Sequence, residues 1–161
     1  MKITKVEVFE FICEGKPFFR VIGCRVYTDE GIYGDGEAAL SYGVGASAAF
    51  GMVKDLAKLV IGMDPMENEV IWHKLYRTTF WGQAGGPVVY AGISALDVAL
   101  WDIKGKALGV PVCQLLGGRV RDSVPVYFNG WFAPAKTPED FAETAARCRW
   151  YYPPQGLYDV R

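Results

Sequence analysis

Three groups of residues in this chain have the chemical types that catalysis or ligand binding uses. The first is His73, the sole histidine and the side chain whose ordinary pKa best suits proton transfer near neutral pH. Glu69 and Arg77 stand one turn to either side of it in "ENEVIWHKLYR". That spacing places His73 on the polar face of a helix and favours a solvent-exposed imidazole over a base. The second group is Asp35 and Glu37 in "YGDGEA". Two positions apart on a strand, they share one side and have the makeup of a general acid/base pair. The third is the glycine set of "YGDGEAALSYGVG". It contains neither GxxxxGK[ST] nor a complete GxGxxG, so it is read as a loop and not as a phosphate cradle.

Thiol and metal chemistry find little support. Cys13, Cys24, Cys113 and Cys148 are scattered, with no C-x-x-C pair, and reduced thiols with packing roles are expected.

The elements that must position these residues follow from periodicity. "KITKVEVFEFI" and "FFRVIGCRVYT" are rich in Val, Ile, Phe and Tyr and predict strands. Asp29, Glu30 and Gly31 predict a short hairpin loop, with Gly31 at positive φ, leading to a third strand over Ile32 to Glu37. "MVKDLAKLVIG" predicts a helix with Met52, Leu56, Leu59 and Val60 on one face, closing at Gly62. "DPMENEVIWHKLYRTTFW" predicts a second helix with Asp64 as N-cap, Pro65 at the first helical position and Glu67 three residues after the cap. In "YAGISALDVALWDIKGKALG" the stripe is Ile93, Leu96, Leu100, Ile103 and Ala107. Asp102 and Lys106 lie four apart in the favourable acid-first order, and Gly109 and Pro111 end that helix.

A change of pattern follows. "SVPVYFNGW" is an extended apolar run, and "TPEDFAETAARCR" predicts a helix with Thr137 as N-cap and Phe141, Ala145 and Cys148 on its inner face. Strand then helix is the first unit of a β/α series. The fold class expected is therefore α+β: a three-stranded antiparallel sheet and a helical bundle, then the start of a β/α series. Three regions are expected, at 1–118, 119–149 and 150–161.

Composition bounds the function classes. Apolar residues make up 51% and charged residues 22%, and 17 Lys+Arg against 18 Asp+Glu form no basic field for nucleic acid or anionic lipid. The N-terminus "MKITKVEVFEF" alternates too early for a signal peptide, and no run approaches the roughly 18 apolar residues of a membrane span. A cytoplasmic protein without nucleic-acid or membrane partners is expected.

"TDEGIYGDGEA", "YAGISALDVALWDIKGKALGVPVCQLLGG" and "RDSVPVY", in this order and at these separations, resemble the N-terminal capping domain and first barrel strand of the enolase superfamily. The likeness is to its mandelate racemase/muconate lactonizing branch, particularly the acid-sugar dehydratases, and runs from Met1 to about Arg147. The resemblance implies Mg²⁺-dependent abstraction of the proton α to a sugar-acid carboxylate, an enediolate, and loss of a β-hydroxyl as water. Racemase or cycloisomerase chemistry is the alternative within the superfamily, and a non-catalytic binding or oligomerisation module is the alternative outside it. It also implies a small-molecule sugar acid as ligand and a homo-oligomer.

The resemblance implies that Asp35 and Glu37 close a hairpin in a GxGE pattern, which favours structure over catalysis. It implies that the loops "GKPFFR" and "LSYGVG" fold over a barrel mouth. Arg20 is then a candidate partner for the substrate carboxylate, Tyr42 lines the pocket, and Asn129 and Trp131 follow the first barrel strand where substrates bind. No residue of this chain is assigned as a catalytic group or metal ligand. The family's metal carboxylates and bases sit on later strands of a barrel that needs roughly 200 residues or more, and 38 residues follow Ser123. The chain by itself is therefore expected to be inactive.

In the family the first barrel helix is followed by a Gly-hydrophobic-x-x-hydrophobic-Lys strand, whereas this chain runs "WYYPPQGLYDVR". Adjacent prolines break strand pairing, and little order is expected past Arg149 for want of a neighbouring strand. Read one nucleotide later, the codons of this tail give Gly, two Ile/Thr positions, two loosely defined residues and then Lys/Arg. A shifted reading frame at 150–161 is the expectation, against a divergent natural end.

Overall fold

The computed structural model describes residues 1–12, 19–40, 43–125, 132–133, 135–151 and 157–159. The described chain forms two compact units, Met1–Leu116 and Gly117–Arg161.

The first unit opens with β1 (Ile3–Ile12), β2 (Arg20–Thr28) and β3 (Tyr33–Ala38), an antiparallel sheet in the order β1-β2-β3. The β2–β3 turn forms as expected. Gly31 has φ 77°, and Thr28 N–H donates to the Ile32 carbonyl at 3.1 Å. Alternation along β2 puts Ile22, Cys24, Val26 and Thr28 on the buried face, where helices cover them.

Helix α1 (Ala46–Val60) begins six residues before the expected Met52. The small residues of "ASAAFG" look like a loop in the sequence. Ala46 and Ala49 are buried, however, and a short side chain is what lets a helix start lie flat on neighbouring elements. Helix α2 (Asn68–Thr78) starts three residues later than an N-cap at Asp64 suggests. Asp64 does act as a cap, but of a turn: its Oδ1 accepts from Met66 N–H at 3.0 Å and its carbonyl from Glu67 N–H at 3.1 Å. Glu67, at φ −95° and ψ 58°, interrupts the helical run.

Helix α3 (Pro87–Leu108) organises the unit. Ile93, Leu96, Leu100 and Ile103 are buried as the stripe predicts, but Ala107 is exposed, because the helix passes beyond the sheet before Gly109 closes it at φ 67°. The face that meets β3 is made of small residues. A Cβ atom on Gly34 would lie 2.0 Å from the Ala99 carbonyl oxygen, and one on Gly36 1.9 Å from that of Ala95. Both glycines are therefore required by contact and not by dihedral.

That closeness lets α3 finish the sheet. Asp35 N–H, pointing away from β2, donates to Asp102 Oδ2 at 3.0 Å, and Lys106 Nζ donates to the Tyr33 carbonyl at 2.8 Å. Asp102 and Lys106 also pair with each other at 2.7 Å. The expected helix pair is thus a cover for an open strand edge.

A short α4 (Val112–Leu115) follows. In the second unit β4 (Ser123–Pro125) pairs antiparallel with β5 (Leu157–Asp159), so part of the tail does find a neighbouring strand. Between them, α5 (Pro138–Tyr151) carries the expected cap. Asp140 N–H donates to Thr137 Oγ1 at 3.2 Å and Asp140 Oδ2 accepts from Thr137 N–H at 2.9 Å. Phe141 and Ala145, expected on an inner face, are exposed, and the side chain of Cys148 lies outside the described residues. Cys113 is exposed, unlike the buried Cys24, so the expected packing role holds for Cys24 and not for Cys113. Among the described residues no helix is long and apolar enough to cross a membrane.

Gly36→Ala is expected to destabilise the first unit by about 3 kcal/mol or more, since backbone and not a flexible side chain must move. Ala99→Ser should cost far less. Chemical denaturation of both variants checks this, and equal small losses would contradict the close approach.

Candidate functional site

Arg20 is the first residue of β2, opposite Ile12 in the register. Its position shares the parity of Ile22 and Cys24, so it faces the helical side of the sheet. Its Nε donates to Glu10 Oε1 in an ion pair, and Nη1 donates to Ser47 Oγ at 3.0 Å. Each partner shifts the other: the Arg20 bond holds the Glu10 carboxyl below its ordinary value, and Glu10 raises the guanidinium further. These contacts tie β1, β2 and the first turn of α1 together. They use two of the five donors a guanidinium carries. A carboxylate ligand at Arg20 would therefore meet a charge that Glu10 already balances. Of the other residues expected to touch substrate, Tyr42, Asn129 and Trp131 lie outside the described residues.

The opposite face of the sheet carries an open groove of about 450 Å³, lined in part by Phe9, Phe11, Val21, Arg25, Asp35 and Glu37. Arg25 grips Asp35 with two hydrogen bonds, 2.7 and 2.9 Å, and lies over the Tyr33 ring at 4.2 Å. The Arg25 bond is the main cause that holds the Asp35 carboxyl below its usual range. A base held this firmly in its ionised form is a poor proton acceptor. The Asp35 carboxylate is thus a structural partner of Arg25, and Glu37 is exposed. His73 is exposed on α2, with its ring edge against Trp72 at 5.7 Å.

Asp97 was not singled out by spacing. It is half-buried on α3, and its carboxyl is raised, first by desolvation and then by the charge of Glu69, while a hydrogen bond to Trp101 opposes the shift. A raised carboxylate is the electrostatic signature of a proton donor. Asp97 does not line the groove, however, and its causes are accounted for by helix neighbours. Only the burial of this position, invisible in a sequence, could have flagged it. Burial pushes the Cys24 thiol up to about 12, so it is an inert packing group that donates to the Ala95 carbonyl at 3.4 Å.

Among the described residues, no group of three or more His, Cys, Asp or Glu is placed to hold a metal ion. The residues present do not fit the Mg²⁺ that the resemblance implies. Among the described residues the site is a sheet with an ion-paired arginine, Arg20, at its loop end.

Residues 18–117 match the family model of the mandelate racemase / muconate lactonizing enzyme N-terminal domain. The chain belongs to this enolase-superfamily family. Similar curated proteins include a D-mannonate dehydratase of Novosphingobium aromaticivorans, 43% identical over 127 residues, which covers 79% of this chain and 30% of the relative. A D-galactonate dehydratase of Pectobacterium atrosepticum is 44% identical over 127 residues, covering 79% of this chain and 31% of the relative. A D-galactonate dehydratase family member of Oceanicola granulosus is 38% identical over 161 residues, covering 100% of this chain and 36% of the relative.

Among solved structures, an enolase-superfamily member from Salmonella Typhimurium superposes with TM-score 0.80 at 44% identity, covering 91% of this chain and 39% of that one. A 3,6-anhydro-D-galactonate cycloisomerase from Zobellia galactanivorans gives TM-score 0.71 at 34% identity, covering 79% of this chain and 35% of that one. The chain spans about a third of the length of the curated relatives it matches. Relatives named as sugar-acid dehydratases place the family function in dehydratase or related chemistry.

Two carboxylates give pH effects of opposite sign. The folded pKa of Asp35 is depressed, so its contribution to stability is present above about pH 4 and lost as pH falls through the folded value. Asp35→Asn should lower the thermal midpoint at neutral pH and narrow its difference from the unaltered chain on acidification. The folded pKa of Asp97 is raised, which penalises the folded state above about pH 4. Asp97→Asn should raise the midpoint at neutral pH, with the gain vanishing below about pH 4. Thermal melts of both variants from pH 3 to pH 8 (about the range over which carboxylates and their partners titrate) decide it, and parallel curves would contradict both assignments.

Proposed function

We propose that this chain is the N-terminal, substrate-capping part of a Mg²⁺-dependent sugar-acid dehydratase. The observation that carries the reading is the family match over residues 18–117 together with 43% identity to a D-mannonate dehydratase. In this reading residues 1–118 are the cap and 119–149 the first β/α unit of a barrel. Residues 150–161 are a tail altered by a shifted frame. The antiparallel pairing of β4 with β5, unlike the parallel strands of a barrel, supports setting the tail apart. Reading the coding DNA in the neighbouring frame tests that assignment.

The cap's part in the reaction is positional. Its loops exclude water and orient the substrate, with Arg20, Tyr42, Asn129 and Trp131 as the proposed contacts. Proton abstraction, metal binding and departure of the hydroxyl are assigned to barrel residues; the candidate carboxylates Glu10 and Asp35 are held by Arg20 and Arg25, and Asp102 by Lys106. Glu10 balances the Arg20 charge, so the part proposed for Arg20 is hydrogen bonding through the guanidinium donors that Glu10 and Ser47 leave unused, held in place by those two partners. The complete enzyme is proposed to work in the cytoplasm as a homo-oligomer. A cycloisomerase remains the second reading, favoured by the 0.71 superposition on the Zobellia galactanivorans enzyme.

A chimera tests the reading. Residues 18–117 of this chain should replace the matching segment of the Novosphingobium aromaticivorans D-mannonate dehydratase and leave measurable dehydration of D-mannonate. Arg20→Met in that chimera should raise KM about tenfold or more, with a smaller fall in kcat. A folded chimera without activity, or an Arg20→Met variant with unchanged kinetics, would count against the proposal.

A further inference from the structure

The sheet treats its two edges differently. On β3 the outer edge is closed by α3, through Asp102 on the Asp35 N–H and Lys106 on the Tyr33 carbonyl. On β1 it is closed only at Ile3, whose N–H donates to the Met63 carbonyl at 2.9 Å and whose carbonyl accepts from Gly62 N–H at 2.8 Å. From Thr4 to Ile12, no hydrogen bond among the described residues closes that side. An open edge of this length, here mixed apolar and charged with Lys5, Glu7 and Glu10 along it, is what sheets ordinarily blunt or cover.

The direction of the free groups follows from the register. Asp35 N–H points away from β2, so its neighbours Gly34 and Gly36 bond β2 at Val26 and Cys24. The groups of Arg25, Gly23 and Val21 then turn toward β1, where they meet Glu7, Phe9 and Phe11. Val6, Val8 and Glu10 are left with their N–H and carbonyl groups facing outward. Their side chains lie on the helical face, where Val6 and Val8 are only half-buried although their mates Val26 and Cys24 are fully buried. Beside them runs a groove of about 230 Å³, with Phe50, Ala57 and Ile61 as apolar lining and Lys54 and Lys58 at its rim.

We propose that this edge pairs antiparallel with the same edge of a second copy of the chain, about a two-fold axis at Val8. The choice of occupant rests on self-complementarity. With Val8 opposite itself, Val6 stands opposite Glu10, and all three outward-facing residues fall on hydrogen-bonded pairs. Centring the axis on Glu7 would set two Glu7 carboxylates face to face and drive the second copy against Met63. An axis between residues would place one copy's buried face on the other's solvent face. In the Val8 register, Glu10 of the second copy, which also carries the ion pair to its own Arg20, arrives beside Lys54 and Lys58, the latter paired with Asp55 at 2.8 Å, while the valines of both copies share the apolar groove. The result is one continuous sheet across both copies.

This pairing gives the proposed homo-oligomer an interface. It stands apart from the catalytic reading, which survives if the pairing fails. Sedimentation equilibrium of the full chain should show a dimer, and amide protection at Val6, Val8 and Glu10 should rise with protein concentration. Val8→Pro removes the N–H at the axis on the side away from β2 and keeps the sheet within each copy. It should weaken dimerisation at least about tenfold with an unchanged circular dichroism spectrum. A monomer at every concentration overturns the proposal, as does a dimer indifferent to Val8→Pro. Equal exchange of the three amides in monomer and dimer overturns it too, and this measurement on the unaltered chain decides alone if the proline variant does not fold. A monomer whose open edge takes up an unrelated extended peptide would also overturn it.

Discussion

Strand β3 and helix α3 lie so close that no Cβ fits between them at Gly34 or Gly36. The rest of the first unit depends on this approach. With the helix backbone against the strand, the Cys24 thiol reaches the Ala95 carbonyl and Asp102 and Lys106 reach the strand's outer edge. The Asp35 N–H and the Tyr33 carbonyl at that edge are satisfied by side chains, where an ordinary sheet would use another strand. Helix α1 in turn packs along α3 and over the sheet, and its first turn receives Arg20 through Ser47. A larger residue at either glycine would lift α3 and undo these contacts together.

How much of this was legible in the sequence depended on whether a local rule or a distant neighbour decided the outcome. The hairpin at Gly31, the stripe from Ile93 to Ile103, the Asp102–Lys106 pair and the Thr137 cap follow from short-range chemistry, and each is present. The start of α1 in "ASAAFG" was hidden because alanine and glycine say little about burial, and burial at Ala46 and Ala49 is a tertiary fact. Asp64 has every mark of a helix cap, yet the chain spends it on a turn, a choice set by how α2 must enter the core. For the candidate site, the loop residue Arg20 was visible as a cation. Its partners Glu10 and Ser47, at ten and 27 residues' separation, were not, because nothing local links them. Asp97 was missed for the same reason.

The chemistry of the site divides along the fold. Within the described residues, the carboxylates nearest the sheet's loop end and groove, Glu10 and Asp35, are bound by Arg20 and Arg25, which keeps them ionised and away from proton transfer. Such a set suits a rigid platform for loops. Relatives named as dehydratases are about two and a half times as long as this chain, and in the proposed reading a barrel provides the strand ends on which acids, bases and metal ligands are displayed. In that reading capping and catalysis are separable in sequence, and the described residues belong to the first.

That division is tested most directly on the purified chain itself. It should be titrated with Mg²⁺ by calorimetry and then assayed with D-mannonate and D-galactonate for the 2-keto-3-deoxy product, with circular dichroism confirming that it is folded. The account predicts a folded protein with no heat of Mg²⁺ binding and no product. Saturable Mg²⁺ binding, or turnover that scales with protein concentration, would contradict it.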